Sequence, residues 1–184
     1  MRAPVDMLVV GLGNPILSDD GVGWRVAEAL QARLQSAPVL KQHVDVICAS
    51  LGGLALAELL VGYRRAIILD AVMTQDGVPG QVYHMPLDAL PGTLNTASAH
   101  DTNLRTALVA LRRFGAELPP DEAIDVVAVE AADVWTFAER CTPAVVASVP
   151  QAVETVLGLL SADGKIREEL SHCEANLGFG LDRL

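Results

Sequence analysis

The sequence predicts a three-layer α/β/α domain, in which a mostly parallel, twisted sheet of about five strands has helices on both faces. Short apolar runs alternate with helical stripes along the chain, as is typical of doubly wound proteins. The composition, 51% hydrophobic but only 4% aromatic, suits buried parallel strands filled by Ala, Val and Leu. A chain of 184 residues is long enough for one core. We assign this domain to residues 1–165 and expect residues 166–184 to form a C-terminal tail, because they are charged and weakly periodic.

The first half of the chain predicts two units of strand and helix. Residues 7–13 form a β-branched run that ends in glycines, as a buried strand does when it enters a tight loop. Residues 44–49 predict the second strand, and residues 54–61 predict a short helix that Gly62 terminates. Between these strands an amphipathic helix is expected, because apolar residues recur at every fourth position: Val22, Val26, Leu30 and Leu34.

Three more strands are expected further along the chain. Residues 66–70 form a continuous apolar run with Asp70 at its very end, which is typical of a central parallel strand. Residues 81–85 follow a Pro-Gly turn and are a candidate edge strand. Residues 124–130 complete the predicted sheet.

Two further helices flank the fifth strand in sequence. Before it lies the apolar stripe Leu104, Leu108, Leu111 and Phe114. After it, Thr142 can cap a helix that begins at Pro143, and a stripe of valines continues from there. We expect Pro150 to bend or split this last helix, since proline lacks the amide hydrogen.

Charge, cysteine content and hydropathy exclude several classes of protein. The net charge is -10, and no basic run is longer than two residues, so no nucleic-acid partner is expected. The cysteines Cys48, Cys141 and Cys173 are odd in number and far apart, which predicts reduced thiols. No apolar stretch reaches the ~18 residues of a membrane span. We therefore expect a cytoplasmic protein that does not bind membranes. A monomer is expected, because no helix shows a long unexplained apolar face that would demand a dimer.

Three polar residues are candidates for a metal site. Asp20 lies in the loop after the first strand, Asp70 ends the third strand, and His100 precedes the third helix. In a parallel sheet all three would lie at the carboxyl edge, where doubly wound proteins usually place their sites. Two carboxylates and an imidazole suit nickel or zinc. Asp101 is a candidate to orient the imidazole or to cap the helix.

Each of these residues also has a purely structural interpretation. Asp20 can cap its helix, Asp70 can accept loop amides, and His100 can be an incidental loop residue. Asp19 is interpreted as a capping residue. A nucleotide-binding loop is a weaker alternative, because the glycine fingerprint that begins at Gly11 has Ile16 where a third small residue is needed.

Residues 11–26 read Gly-Leu-Gly-Asn-Pro-Ile-Leu-Ser-Asp-Asp-Gly-Val-Gly-Trp-Arg-Val, and this segment resembles the N-terminal signature of the hydrogenase maturation endopeptidases. Further matching pieces follow in order: Leu-Asp-Ala at 69–71, Ser-Ala-His-Asp at 98–101 and Cys-Thr-Pro-x-Val at 141–145. The resemblance covers roughly residues 7–160. One departure lies at residues 49–53, where Ala-Ser-Leu-Gly-Gly stands in place of the family's acidic Asp-Gly-Gly-Thr turn.

The resemblance implies an endopeptidase, aspartic-type or metal-assisted, that removes the C-terminal extension of a nickel-iron hydrogenase large-subunit precursor after nickel insertion. It also implies that Asp20, Asp70 and His100 bind a metal, that Asp20 and Asp70 are catalytic, and that the precursor supplies the nickel. The alternative from another class is a noncatalytic nickel-dependent chaperone of the same fold. A small nucleotide-binding domain is a third hypothesis.

Overall fold

The computed structural model describes residues 6–87, 101–164 and 166, and for residues 101–103 it describes the backbone only. The described residues form a five-stranded sheet between two helical layers, which confirms the predicted α/β/α architecture. The strands are β1 Met7–Leu12, β2 Val44–Ala49, β3 Arg65–Val72, β4 Val82–Pro86 and β5 Ile124–Glu130. The helices are α1 Val22–Leu34, α2 Pro38–His43, α3 Gly53–Leu59, α4 Asp101–Arg113 and α5 Pro143–Ser161.

The sheet has the strand order β2-β1-β3-β5-β4. All neighbouring strands are parallel except β4, which lies antiparallel to β5 at one edge, as the sequence suggested. The chain leaves β1 towards β2 on one side and returns to β3 on the other side of β1. This reversal of direction leaves a crevice at the carboxyl ends of β1 and β3.

Alternate residues of each strand fill two separate cores. On one face, Met7 and Val9 of β1 pack with α1 and α5. On the other face, Leu8 and Val10 pack with α3 and α4. Because side chains two apart on a strand share a face, Asp70, between Ile68 and Val72, belongs to the α3 and α4 side.

Several details of the structure differ from the prediction. β3 continues two residues beyond Asp70, because Ala71 and Val72 pair with β5. The predicted helix at 54–61 spans Gly53–Leu59, although Gly62 does adopt the expected left-handed conformation with φ 85°. Short α2 carries no apolar stripe and was not predicted. Phe114 is not on the buried stripe of α4 but is 90% exposed, because the helix ends before it.

Helix α5 runs without interruption through Pro150, so the predicted split is wrong. Pro150 lies on the exposed side of the helix, where water can satisfy the carbonyl left without an amide partner. By length and composition alone α5 could cross a membrane. It packs instead as a core helix, since Val145, Val153 and Val156 are buried against the sheet.

Ion pairs fix the C-terminal end of α5 to the start of β3, at the amino ends of the parallel strands. Asp163 accepts hydrogen bonds from Arg64 (2.8 Å) and Arg65 (3.3 Å). Arg65 also donates to Asp125 (2.8 Å), which contacts Nε2 of His84 at 2.8 Å. Ile166 is buried in the core, and the tail predicted at residues 166–184 otherwise lies outside the described residues.

Candidate functional site at the carboxyl edge

Asp20 lies in a tight turn that connects β1 to α1. The turn is a 3-10 helix at Ser18–Gly21, and Oδ2 of Asp20 accepts a hydrogen bond from the Asn14 amide at 2.7 Å. Gly13 has φ 114°, and a Cβ there would lie 1.7 Å from the carbonyl oxygen of Asp20. Only glycine therefore fits at position 13, which allows the loop to fold back on itself and hold the Asp20 carboxylate.

Asp70 lies within the central strand and is only 4% exposed. Its Oδ1 accepts a hydrogen bond from the Ala71 amide at 2.8 Å. The register pairs Asp70 with Ala128 of β5, and it lies one residue beyond the level of Gly11 in β1. Asp70 is thus held at the crevice where β1 ends and β3 continues.

Close packing of α1 on the sheet brings the two aspartates to the same edge. A Cβ on Gly23 would lie 2.4 Å from the carbonyl oxygens of both Leu12 and Leu69. The first turn of α1 therefore sits directly on the ends of β1 and β3, and the turn that carries Asp20 contacts β3. Asp20 therefore lies in the turn after the carboxyl end of β1, and Asp70 lies near the carboxyl end of the neighbouring strand β3. Their role as site residues stays a prediction.

His100, the third predicted ligand, lies outside the described residues. Helix α4 begins at Asp101, the next residue, whose side chain is also outside them. Within the described part of the chain, no three His, Cys, Asp or Glu side chains cluster so that they could hold a metal ion. The set of Asp20, Asp70 and His100 as metal ligands therefore stays a prediction.

Asp19 is the residue that sequence reasoning interpreted incompletely. It is fully buried, and four hydrogen bonds reach its carboxylate from residues 132–142. Its Oδ2 accepts hydrogen bonds from the amides of Ala132 (2.9 Å) and Asp133 (3.1 Å) and from the Thr142 hydroxyl (3.0 Å). Its Oδ1 accepts from the Thr142 amide at 2.6 Å. Asp19 thus joins the Asp20 turn to the loop after β5 and to the start of α5.

The second loop, at residues 49–53, also supports the Asp20 loop. The Ser50 hydroxyl donates a hydrogen bond to the carbonyl of Gly13 at 2.7 Å. Trp24 of α1 donates its indole N–H to the carbonyl of Ala49 at 3.2 Å. The segment that lacks the family's carboxylate therefore orders the first loop through neutral hydrogen bonds.

A further buried carboxylate, Glu130, lies at the end of β5 and was not among the predicted site residues. Its Oε1 accepts the Thr74 amide at 2.6 Å, and its Oε2 accepts the Thr74 hydroxyl at 3.0 Å. Burial, followed by the hydrogen bond and charge of Glu130, raises the pKa of the Tyr83 hydroxyl. A carboxylate at the end of a parallel strand is the signal that identified Asp70, and the same signal was available for Glu130.

The two described cysteines are not suited to nucleophilic chemistry. Burial, and then the negative charge of Glu28, raises the pKa of the Cys48 thiol. Burial, and then the charge of Asp19, raises the pKa of the Cys141 thiol, which donates to the carbonyl of Ser18 at 3.4 Å. Both groups therefore stay protonated at neutral pH, whereas a cysteine nucleophile needs its thiolate.

Comparison with known proteins identifies a consistent set of relatives. The family model described as hydrogenase maturation protease matches residues 24–159. The hydrogenase 2 maturation protease of Escherichia coli K12 is 30% identical over 159 residues, which cover 86% of this chain and 92% of that protein.

Solved structures show the same relationship. The hydrogenase maturating endopeptidase HybD from E. coli superposes with a TM-score of 0.68 at 27% identity, over 86% of this chain and 94% of that chain. The [NiFe] hydrogenase maturation protease HybD from Thermococcus kodakarensis has a TM-score of 0.61 at 22% identity, over 84% of this chain and 99% of that chain. The latter supports the fold alone.

Proposed function

This chain belongs to the hydrogenase maturation protease family, and from that premise we propose that it is the endopeptidase that removes the C-terminal extension of a nickel-iron hydrogenase large-subunit precursor. The observation that supports the proposal is the position of Asp20 and Asp70 at the carboxyl ends of the neighbouring strands β1 and β3. The partner is the precursor protein, and cleavage follows nickel insertion.

The nickel is proposed to arrive with the precursor as part of the substrate. Carboxylate and imidazole donors suit a first-row divalent ion, so Asp20, Asp70 and His100 are the proposed ligands. Backbone amides hold one oxygen of each aspartate, so both carboxylates keep a fixed orientation at the edge of the sheet. A precursor that lacks nickel would not bind these ligands and would not be cleaved. Hydrolysis would therefore depend on completed nickel insertion.

We favour a metal-assisted mechanism over an aspartic-type one. A divalent ion can polarise the scissile carbonyl or activate water, and the two aspartates position it. Asp20 is the more accessible carboxylate of the pair and is therefore the proposed general base if one is needed. An aspartic-type mechanism, in which the two carboxylates activate water without metal, would cleave nickel-free precursor as well.

The test is the intact mass of the cognate precursor, with and without inserted nickel, before and after incubation with this protein. We expect loss of a C-terminal peptide from the nickel-loaded form only. Asp20→Asn and Asp70→Asn should each slow cleavage by at least about 100-fold, because they remove a proposed ligand without changing side-chain volume. Glu154→Gln, an exposed carboxylate on α5, is the matched control and should cleave at the wild-type rate.

The same experiment separates the alternatives. Cleavage of the nickel-free precursor would favour the aspartic-type mechanism. Stable binding with an unchanged precursor mass would instead support the noncatalytic chaperone. Full activity in both aspartate variants would show that Asp20 and Asp70 do not belong to the active site. We further propose that the enzyme acts as a cytoplasmic monomer, which the mass of the free protein in solution and its cellular fractionation would test.

A further inference from the structure

Three large apolar side chains are exposed beside the Asp20 turn. Ile16 is 49% exposed, Trp135 is 72% exposed and Phe137 is 81% exposed. We call these three residues the edge patch. The edge patch contains two of the seven aromatic residues in the sequence. Exposed apolar groups that lie together mark interaction sites more often than isolated ones do.

Backbone hydrogen bonds hold the edge patch together. Leu17 and Ala138 form a parallel β-bridge. The Ser18 amide donates to the carbonyl of Ala138 at 2.8 Å, and the Ala138 amide donates to the carbonyl of Ile16 at 3.1 Å. Ile16 and Phe137 each precede a bridged residue. The two loops that carry the edge patch are therefore joined by backbone hydrogen bonds.

The loop that presents the aromatic residues is also ordered from within. Oδ1 of Asp133 accepts hydrogen bonds from the amides of Trp135 (2.9 Å) and Thr136 (3.0 Å). The side-chain hydrogen bond from Thr136, followed by these amide bonds, lowers the pKa of Asp133. Two hydrogen bonds join Asp133 to Asp19. The Asp133 amide donates to Oδ2 of Asp19, and the Asp19 amide donates to the carbonyl of Asp133. Trp135 and Phe137 are thus held outward by a fixed backbone.

From this arrangement, and resting on the proposed function, we propose that the edge patch is the surface on which an apolar region of the hydrogenase precursor docks beside its scissile segment. Ile16 lies four residues before Asp20 in a loop bonded to the aromatic loop. A protein whose peptide reaches Asp20 and Asp70 must cover the loops around them. Rigid aromatic side chains lose little entropy on binding and commonly supply most of the binding energy.

An apolar groove continues from the same loop. The groove has a volume of about 620 Å³, and its lining includes Glu139, two residues after Phe137, as well as Pro143 and Val146. Arg25 also lines it and donates to the carbonyl of Glu139 at 2.8 Å. In the proposed complex the groove would give the docked precursor a larger contact area.

The test compares binding and cleavage of nickel-loaded precursor by wild type and by the double variant Trp135→Ser, Phe137→Ser. We expect the dissociation constant and KM to rise at least about tenfold, because aromatic anchors each contribute about that much. The value of kcat should stay near wild type, whereas a change in Asp20 lowers kcat. Phe114→Ser is the matched control, since Phe114 is 90% exposed but follows the far end of α4.

A second measurement does not depend on any substitution. In fluorotryptophan-labelled protein the fluorine resonance of Trp135 should shift when precursor is added, while that of Trp24 should change less, because Trp24 is half-buried and bonded to Ala49. No shift at Trp135 on a bound precursor would overturn the inference. Equal binding by the double variant and wild type would also overturn it.

Failure of the inference and failure of the proposed function give different results. If wild type cleaves the precursor and the double variant does so with unchanged KM, the docking surface is wrong and the function stands. If the precursor binds through the edge patch but is not cleaved, the docking surface stands and the peptidase function is wrong. Loss of a dimer in the double variant would show that the edge patch binds a second copy of the chain.

Discussion

Asp19 shows how a single residue fixes the candidate site without taking part in it. Four hydrogen bonds converge on its buried carboxylate, and three of them come from backbone amides. We expect Asp19→Ala to lower the free energy of unfolding by about 3 kcal/mol or more, because it leaves buried donors unsatisfied. Thr142→Val removes only the hydroxyl bond and should cost about 1 kcal/mol.

Urea denaturation of both variants measures these values. A loss in Asp19→Ala no larger than that in Thr142→Val would show that the amides find other partners. Asp19→Ala should also slow precursor cleavage, since the Asp20 turn loses its attachment to the loop after β5.

At the residue scale the sequence predicted a capping role for Asp19 and a site role for Asp20 and Asp70, but it did not predict the residues that bind Asp19. Ser18 adopts φ 46°, and in this turn the Asp19 carboxylate accepts hydrogen bonds from the amides of Ala132 and Thr142. Those partners lie far along the chain, where no local pattern identifies them.

At the scale of elements, the contact between β1 and α1 depends on two glycines. A Cβ on Gly11 would lie 2.4 Å from the carbonyl oxygen of Gly23, and a Cβ on Gly23 would meet the backbone of both β1 and β3. We expect Gly23→Ala to lower the free energy of unfolding by about 3 kcal/mol, because rigid backbone must move away. Gly158→Ala in α5 is the opposite case, with nothing within 4 Å, and should raise it by about 0.5–1 kcal/mol.

Thermal unfolding of both variants checks this pair. A stable Gly23→Ala protein would mean that α1 can shift along the sheet.

At this scale the strands were predicted well, because a continuous apolar run indicates a buried strand without any information about the neighbouring strands. Short α2 and the ends of α3 and β3 were missed or misplaced, since pairing with β5 and local turns decide them rather than periodicity. Helix α5 continues through Pro150 because that residue lies on the exposed side of the helix. The apolar stripe of α5 alone did not reveal this.

At the scale of the whole molecule, one charge network joins the sheet to the end of α5. Arg65 contacts both Asp125 and Asp163, which are buried. We expect Arg65→Met to cost about 3 kcal/mol, because it leaves buried carboxylates with fewer cationic partners. Arg33→Ala breaks an exposed pair with Glu154 and should change stability by no more than about 0.5 kcal/mol.

The pH dependence of stability provides a second measure of this network. Burial alone raises the pKa of Asp163, but hydrogen bonds from Arg64, the Ile166 amide and Arg65 outweigh it and hold the pKa below its usual range. As pH falls below about 4, the unfolded chain therefore takes up this proton first, and the free energy of unfolding decreases. Arg65→Met should weaken that decrease. An unchanged acid dependence in urea denaturation at several pH values would show that Arg65 does not act on Asp163.

The bond between Asp19 and Thr142 also sets an order for synthesis. The two residues are separated by 123 positions, so the Asp20 turn gains this anchor only after most of the chain has been translated. Contacts this distant in sequence form late, because loop closure must come before them. A nascent chain that ends before Ala132 therefore lacks all four hydrogen bonds to the Asp19 carboxylate. We expect the Asp20 turn of such a chain to lack this support.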